Sequence, residues 1–183
     1  LAVGPTSDGK VNQVHYYGKS DAGAVRGELG YGDLVDRLLD FLSLCGQKSK
    51  AIVVPAAADV SGTSEAADKD GDGTATATAG GTPRMTAQVV VEILTAGDFG
   101  EATFRYSLDG GDTWTGPIAV PETPTPVDLG AGITIAFSDP YPSDASFEEG
   151  DTWTWTTTGP GCTLASLLAA LTVAKDAELP FEL

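Results

Sequence analysis

The sequence predicts an α+β protein in which an incomplete α/β domain is interrupted by an inserted antiparallel β-sandwich domain. The α/β domain comprises residues 1–61 and 160–183, and the inserted domain comprises residues 62–159. Three observations lead to this prediction: helical periodicity near both ends, alternation of apolar and polar residues in the middle, and a charge concentrated in the middle. The predicted junctions, Ser61-Gly62 and Gly159-Pro160-Gly161, have the composition of loops.

The 183 residues carry a formal net charge of −16, and most of it lies in the middle of the chain. Residues 61–160 contain 16 acidic and 3 basic residues, whereas residues 1–60 have a net charge of only −1. A surface this acidic repels nucleic-acid phosphates and anionic membrane surfaces. The sequence also contains no run of 18 apolar residues. We therefore expect no nucleic-acid partner and no membrane insertion.

The first stretch predicts strand, helix and strand in succession. Val14 to Tyr17 is a short strand candidate, and Asp21 to Leu29 a short helix. A longer helix is predicted from Asp33 to Gly46, because most of its apolar residues fall on one helical face. Ala51 to Val54 is a continuous apolar run of the kind found in strands buried on both faces. The pattern indicates a βαβ unit with a parallel strand pair. The apolar helix residues are Leu34, Val35, Leu38, Leu39, Phe41, Leu42 and Cys45.

The middle stretch predicts short antiparallel strands. Apolar side chains alternate with polar ones in four segments, and Gly, Pro and Asp fill the gaps between them. Thr74, Thr76 and Thr78 indicate a further strand. The residues predicted to face the core are Val89, Val91 and Ile93, then Phe104, Tyr106 and Leu108, then Ile133, Ile135 and Phe137, and finally Trp153 and Trp155.

The last stretch predicts a helix capped by Thr163. Leu164, Leu167, Leu168 and Leu171 recur at helical spacing, so we expect them to face the core. A strand is predicted at Phe181-Glu182-Leu183. We expect that both ends of the chain are cut and that it is a fragment of a longer protein.

Residues 107–114, SLDGGDTW, match the aspartate-box pattern S-x-D-x-G-x-T-W. Several copies of this pattern occur in sialidases, which are β-propellers with repeating blades. This chain has one copy, is too short for a propeller, and has only Arg84 and Arg105 in the middle stretch to bind a substrate carboxylate. We therefore interpret the box as a hairpin turn shaped by Asp109 and Gly111, with Trp114 packing across the hairpin.

A second motif, Asp68-Lys69-Asp70-Gly71-Asp72-Gly73, opens like a calcium-binding EF-hand loop. Its twelfth position is Ala79 instead of the bidentate Glu, and its flanks do not resemble paired helices. We therefore interpret it as a flexible, solvated acidic linker, with calcium binding through Asp68, Asp70 and Asp72 as the alternative.

Other residues whose side chains could bind a ligand or take part in catalysis are better explained by structural roles. Trp153 and Trp155 could stack on sugar rings but are better explained as core. The acidic groups Asp109/Asp112, Asp139/Asp144 and Glu148/Glu149/Asp151 fall in turn-like segments. His15 is the only histidine, and Cys45 and Cys162 are interpreted as two buried thiols. We predict no catalytic, cofactor-binding or metal-binding residues, and no enzymatic activity.

The N-terminal stretch resembles a known family of structural proteins. The segments that carry the resemblance are Val11-Asn12, Tyr17 to Ala22, Leu29 to Asp36, and Ile52-Val53-Val54-Pro55. Together they are similar to the start of a bacteriophage contractile tail sheath subunit. The middle is similar to a β module inserted in some sheath proteins, on the segments 89–93, 102–111 and 147–153.

The resemblance implies a sheath-type α/β domain in a structural subunit of a phage or prophage tail. Such a subunit polymerises with other copies of itself into rings around the tail tube protein, in a virion assembled in the bacterial host cytoplasm. The polymerisation residues lie in a C-terminal part that this sequence lacks, so none is assigned. The alternative is a carbohydrate- or calcium-binding β-sandwich module of a surface protein, using Trp114, Trp153 or Trp155, or the three aspartates of residues 68–72.

Overall fold

A computed structural model describes residues 1–141 and 146–177. Over these residues the chain contains three helices, a mixed three-stranded sheet and two antiparallel sheets, which confirms the predicted α+β class. The chain divides into two compact units. Unit 1 comprises Leu1–Gly62 and the residues from Gly159 onward, and unit 2 is the continuous segment Thr63–Thr158.

Unit 1 is built from three strands and three helices. The strands are β1 (Ala2–Pro5), β2 (His15–Gly18) and β3 (Lys50–Ala56), and the helices are α1 (Ala22–Leu29), α2 (Asp33–Leu44) and α3 (Leu164–Asp176). A short 3-10 helix, Lys19–Asp21, precedes α1. The predicted helices before residue 50 are confirmed, and Gly30 and Gly32, both at positive φ, form the turn between them.

The strand pairing of unit 1 corrects the βαβ prediction. Strand β3 is central, and its partner β2 is antiparallel, with His15 opposite Val53. The parallel partner is β1, a segment that was not predicted to be a strand; there Ala2 lies opposite Val53. A βαβ unit contains one crossover helix, whereas two helices separated by a glycine turn lie between β2 and β3.

Strand β3 is buried on both faces, as its apolar run predicts. Val53 packs with residues of α1 and α2 such as Leu29 and Leu38. Val54 and Ala56 belong to a separate apolar cluster with residues of α3. A strand covered on both sides cannot alternate, because neither face meets water.

The predicted core face of α3 is wrong for three of its four leucines, and the fourth, Leu167, is half-buried. Leu164, Leu168 and Leu171 are 71%, 53% and 42% exposed, whereas Ala170 and Ala174 are buried against β3. Apolar residues occupy much of the circumference of α3, so periodicity alone selects the larger side chains. The small alanines instead face the sheet, where they pack beside Val54 and Ala56. The strand predicted at residues 181–183 lies outside the described residues.

Unit 2 contains two antiparallel sheets. One has β10 (Val127–Gly130), β11 (Ile133–Ser138) and β6 (Thr76–Gly81) in that order. The strands of the other are β4 (Thr63–Ser64), β5 (Asp68–Asp70), β7 (Ala87–Thr95), β8 (Thr103–Ser107), β9 (Thr115–Ala119) and β12 (Thr152–Thr158). Their order is β4-β12-β7-β8-β9, with β5 also pairing with β12.

Both sheets of unit 2 contribute to one apolar core. Phe137 of β11 is central: its ring centroid lies 5.4 Å from Phe104 and 5.3 Å from Trp153, both on the other sheet. Phe147 adds a third edge-to-face contact at 5.3 Å. The inward faces predicted from alternation are confirmed, with Tyr106 and Leu108 at the partly buried margin.

Candidate functional site

The aspartate box forms a closed hydrogen-bond network at the end of β8. The Ser107 hydroxyl donates to Asp109 Oδ1 at 2.6 Å and accepts the Gly111 N–H at 2.8 Å. The Asp109 carboxylate also accepts the backbone N–H and the hydroxyl of Thr113, at 2.8 and 2.6 Å. These donors lower the pKa of Asp109 to about 2, the Ser107 hydroxyl contributing most. The carboxylate is therefore ionised at neutral pH and fixed in the turn.

Trp114 lies on the outside of the same hairpin. The Arg105 guanidinium is centred 4.1 Å from the ring centroid, a cation–π distance. Glu92 holds this guanidinium through bonds of 2.8 Å to Nε and 2.6 Å to an Nη atom. The predicted packing of Trp114 across the hairpin is confirmed, since Arg105 belongs to the opposite strand, but the indole remains 37% exposed.

The Asp68–Gly73 segment is not the flexible linker that the sequence suggested. Residues 68–70 form β5, where Lys69 lies opposite Trp153 of β12. The Lys69 ammonium lies 3.8 Å from the carboxylate of Asp151, which is 2% exposed, and it also donates to the Gly73 carbonyl. An acidic chain thus uses one of its few cations to balance a buried carboxylate.

The calcium alternative gains nothing from this arrangement. Asp68, Asp70 and Asp72 are exposed, and Asp68 and Asp70 sit two positions apart on a strand instead of wrapping around a centre. Among residues 1–141 and 146–177, no group of three or more His, Cys, Asp or Glu side chains is placed to hold a metal ion.

The remaining acidic residues are dispersed. Asp151 accepts the Gly73 and Glu148 N–H groups at 3.2 and 3.1 Å, so it closes a loop at the start of β12. Asp139 accepts from the Thr74 hydroxyl and the Tyr141 N–H, and these donors, the hydroxyl foremost, lower its pKa. Asp144 lies outside the described residues. Asp109 and Asp139 would be poor general acids at neutral pH, because both hold their charge strongly.

Trp153 and Trp155 are buried core residues, as interpreted, and neither presents a surface for a sugar ring. His15 stacks on Tyr17 with a centroid distance of 6.1 Å. Cys45 and Cys162 are free thiols at partly buried positions.

A group of residues that the sequence did not reveal joins the two segments of unit 1. Val60 and Gly161 exchange backbone hydrogen bonds of 3.1 and 2.9 Å. Beside them, the Asp59 carboxylate accepts the N–H and hydroxyl of Thr163, both at 2.7 Å, and the hydroxyl of Ser166 at 2.6 Å. Thr163 is the predicted N-cap of α3 and accepts the Ser166 N–H. We call the set Asp59, Val60, Gly161, Thr163 and Ser166 the junction clasp.

The junction clasp has the electrostatics of a helix cap. The Ser166 and Thr163 donors lower the pKa of Asp59 to about 2. An ionised carboxylate at a helix N-terminus is also favoured by the helix dipole. No sequence signal could have paired Asp59 with Thr163, since 104 residues separate them.

The outer face of the six-stranded sheet, opposite the apolar core, carries a shallow groove. Thr154 and Thr156 lie on this face because they alternate with the buried Trp153 and Trp155. The turn of the aspartate box borders the groove at Gly110. Alternation predicts outward threonines, but it does not predict that the segment before β5 borders them. The polar residues that line the outer-face groove are Glu65, Asp68, Gln88, Thr154 and Thr156, and Gly110 together with apolar residues, among them Val90 and Trp155, lines the rest.

Comparisons of the chain with protein-family models, with curated proteins and with solved structures gave no match. Within the described part of the chain, each helix is too short or too polar to cross a membrane.

Proposed function

We propose that this chain is part of a structural subunit of a phage or prophage contractile tail sheath, in which an inserted β-sandwich interrupts a sheath-type α/β domain. Copies of the subunit would pack into rings around the tail tube protein, and the energy for contraction would be stored in the extended lattice. The proposal requires no catalysis, cofactor or metal.

The observation that carries the proposal is the position of the sheath-like segments. Residues 11–55, which bear the resemblance, span β2, α1, α2 and β3 of a single compact unit. The motif Leu29 to Asp36 supplies the turn between the two helices, and Ile52 to Pro55 lies within the central strand. These residues therefore act together as one building block.

The way in which unit 2 interrupts unit 1 also supports the proposal. The two connections run side by side at the junction clasp, so a module can be inserted without separating the ends of the host domain. A module inserted in this way can change in sequence and size while the surrounding domain keeps its packing. The acidic β module would project outward and keep neighbouring particles apart by charge repulsion.

Unit 1 also exposes apolar side chains that suit a subunit of an assembly. Leu164, Leu168 and Leu171 form a stripe on α3, and the helix carries no charge before Lys175. Contiguous exposed apolar residues are typical of surfaces that pack against other proteins.

Immunogold electron microscopy would test the proposal. Antibodies raised against the purified chain are applied to particles released after prophage induction in the encoding bacterium, with pre-immune serum as the control. We expect gold along the full length of contractile tails. Label confined to the cell surface would contradict the proposal and favour the alternative of a surface-protein module.

A further inference from the structure

The outer-face groove has polar groups that the protein itself leaves unused. Thr156 is engaged, because its hydroxyl donates to Glu65 at 2.6 Å. By contrast, the Gln88 amide, the Asp68 carboxylate and the Thr154 hydroxyl make no hydrogen bond within residues 1–141 and 146–177. The amide and the hydroxyl can both donate and accept, and the carboxylate accepts. Such a set matches a ligand that is rich in hydroxyl groups.

An aromatic surface lies beside this groove. Val90 lies on the same face of β7 as Gln88 and pairs with Ser107 of β8. The next outward-facing pair along β7 and β8 is Glu92 and Arg105. Two residues along a strand correspond to about 6.6 Å. Arg105 in turn lies against Trp114, so the exposed indole lies beside this outward pair, across β8 from the groove strands β7 and β12.

Trp114 is held in place by its surroundings. Arg105 lies against the ring and is itself fixed by Glu92, and a methyl group added at Gly111 would lie 3.6 Å from the indole. A rigid, partly exposed indole can bind the apolar face of a flat ring with little loss of conformational entropy.

Charge restricts the ligand. Residues 61–160 carry 16 acidic against 3 basic residues, and two of those bases, Lys69 and Arg105, are committed to Asp151 and Glu92. A ligand with carboxylate or phosphate groups would be repelled, whereas a neutral ligand or one with amino groups would not.

We propose that the outer-face groove and Trp114 together bind an oligosaccharide that is uncharged or carries amino groups. One sugar ring stacks on Trp114, and the next hydrogen-bonds Gln88, Asp68 and Thr154. The site spans at least two sugar rings, because the indole lies beside the groove and not within it. This inference does not depend on the proposed sheath role, which would stand if no sugar bound.

Titration of the ¹⁵N-labelled intact chain tests the site by NMR. The probes are chitotetraose, cellotetraose and maltotetraose as neutral sugars, a chitosan tetramer as the amine-bearing sugar, and sialyllactose as the anionic one. The chain has three indole N–H groups, and those of Trp153 and Trp155 are buried with no hydrogen-bond partner among residues 1–141 and 146–177. We expect at least one neutral or amine-bearing sugar to shift the Trp114 indole resonance while the other two stay fixed.

Single substitutions distinguish sugar binding at the proposed site from nonspecific binding elsewhere on the protein. Replacing Trp114 by alanine should raise the dissociation constant about tenfold, the upper range for one aromatic stacking contact. Thr154→Ala should also weaken binding. Thr78→Ala, an exposed strand threonine on the other sheet, is the matched control and should bind as the parent does.

Three results would each overturn the inference. The first is an unmoved Trp114 resonance with every neutral and amine-bearing probe. The second is binding of sialyllactose as tight as that of the neutral sugars. The third is unchanged affinity in Thr154→Ala and Trp114→Ala variants whose spectra show that they are folded.

Discussion

Replacing residues 61–160 by the dipeptide Asn-Gly should leave a folded α/β unit. The design follows from the junction clasp, in which Val60 and Gly161 exchange both backbone hydrogen bonds. Such a pair in an antiparallel ladder has Cα atoms about 5.5 Å apart. A two-residue hairpin turn, for which Asn-Gly is favoured, spans that distance.

The stability of the shortened chain can be bounded. If the excised segment of about 100 residues behaved as a flexible loop, shortening it to two residues would remove five to six doublings of length, or about 3 kcal/mol of closure entropy. A folded insert already holds its ends together and so contributes less. We therefore expect the unfolding free energy of unit 1 to rise by between about 0 and 3 kcal/mol.

The distribution of residues between the two units provides the assay. Trp114, Trp153 and Trp155 are the chain's three tryptophans and all lie in unit 2, whereas the three described helices all lie in unit 1. In the parent, ellipticity at 222 nm therefore follows mainly unit 1 and tryptophan fluorescence follows unit 2 during urea unfolding. The shortened chain should retain a cooperative transition at 222 nm, and residues 63–158 alone should retain the fluorescence transition as the matched control. A gradual, non-cooperative change at 222 nm would refute the reasoning, because unit 1 would then depend on unit 2 for its fold.

Three further predictions concern single residues. Asp59→Asn should destabilise unit 1 at pH 7 and much less at pH 2. The folded pKa of about 2 lies below the ordinary value of 3.8, so the ionised carboxylate stabilises unit 1 fully above pH 4 and loses this effect as the pH falls through 2. Thermal melts at 222 nm at both pH values measure this, and equal melting of variant and parent at pH 7 would contradict it. Phe137→Ala should lower the free energy of unfolding of unit 2 by about 3–5 kcal/mol, measured in urea. Leu168→Ala, at an exposed position of α3, should change the free energy of unfolding of unit 1 by no more than about 0.5 kcal/mol. Comparable losses in the two variants would show that the leucine stripe is part of the core. Asp151→Ala should cost about 2–4 kcal/mol, because Lys69 loses its carboxylate partner and buried backbone N–H groups lose their acceptor; a fluorescence-detected loss below about 1 kcal/mol would show that the pair is dispensable.

Where the deciding forces act between neighbours in the chain, the sequence determined the structure. Alternation identified the buried faces of β7, β8, β11 and β12, because a strand with one wet face must alternate. The helix α2 followed from periodicity, and the end of α1 followed from the glycines at 30 and 32. The aspartate-box turn was also local, since its donors and acceptor lie within seven residues, from Ser107 to Thr113.

Only the tertiary structure decided which segments that are distant in sequence pack or pair with each other. No sequence pattern indicated that β1 would pair with β3, nor that β5 would pair with β12 and bring Lys69 to Asp151. The sequence favoured the leucines of α3 as its buried face, because leucine is larger and more apolar than alanine. It could not show that the space between α3 and the sheet fits only small side chains. The junction clasp and the outer-face groove depend on residues about 20 to 100 positions apart, whose partners are chosen by packing and burial across the whole unit. Local patterns thus specify which residues face the core, whereas the competition among all possible strand and helix pairings specifies which segments they pack against.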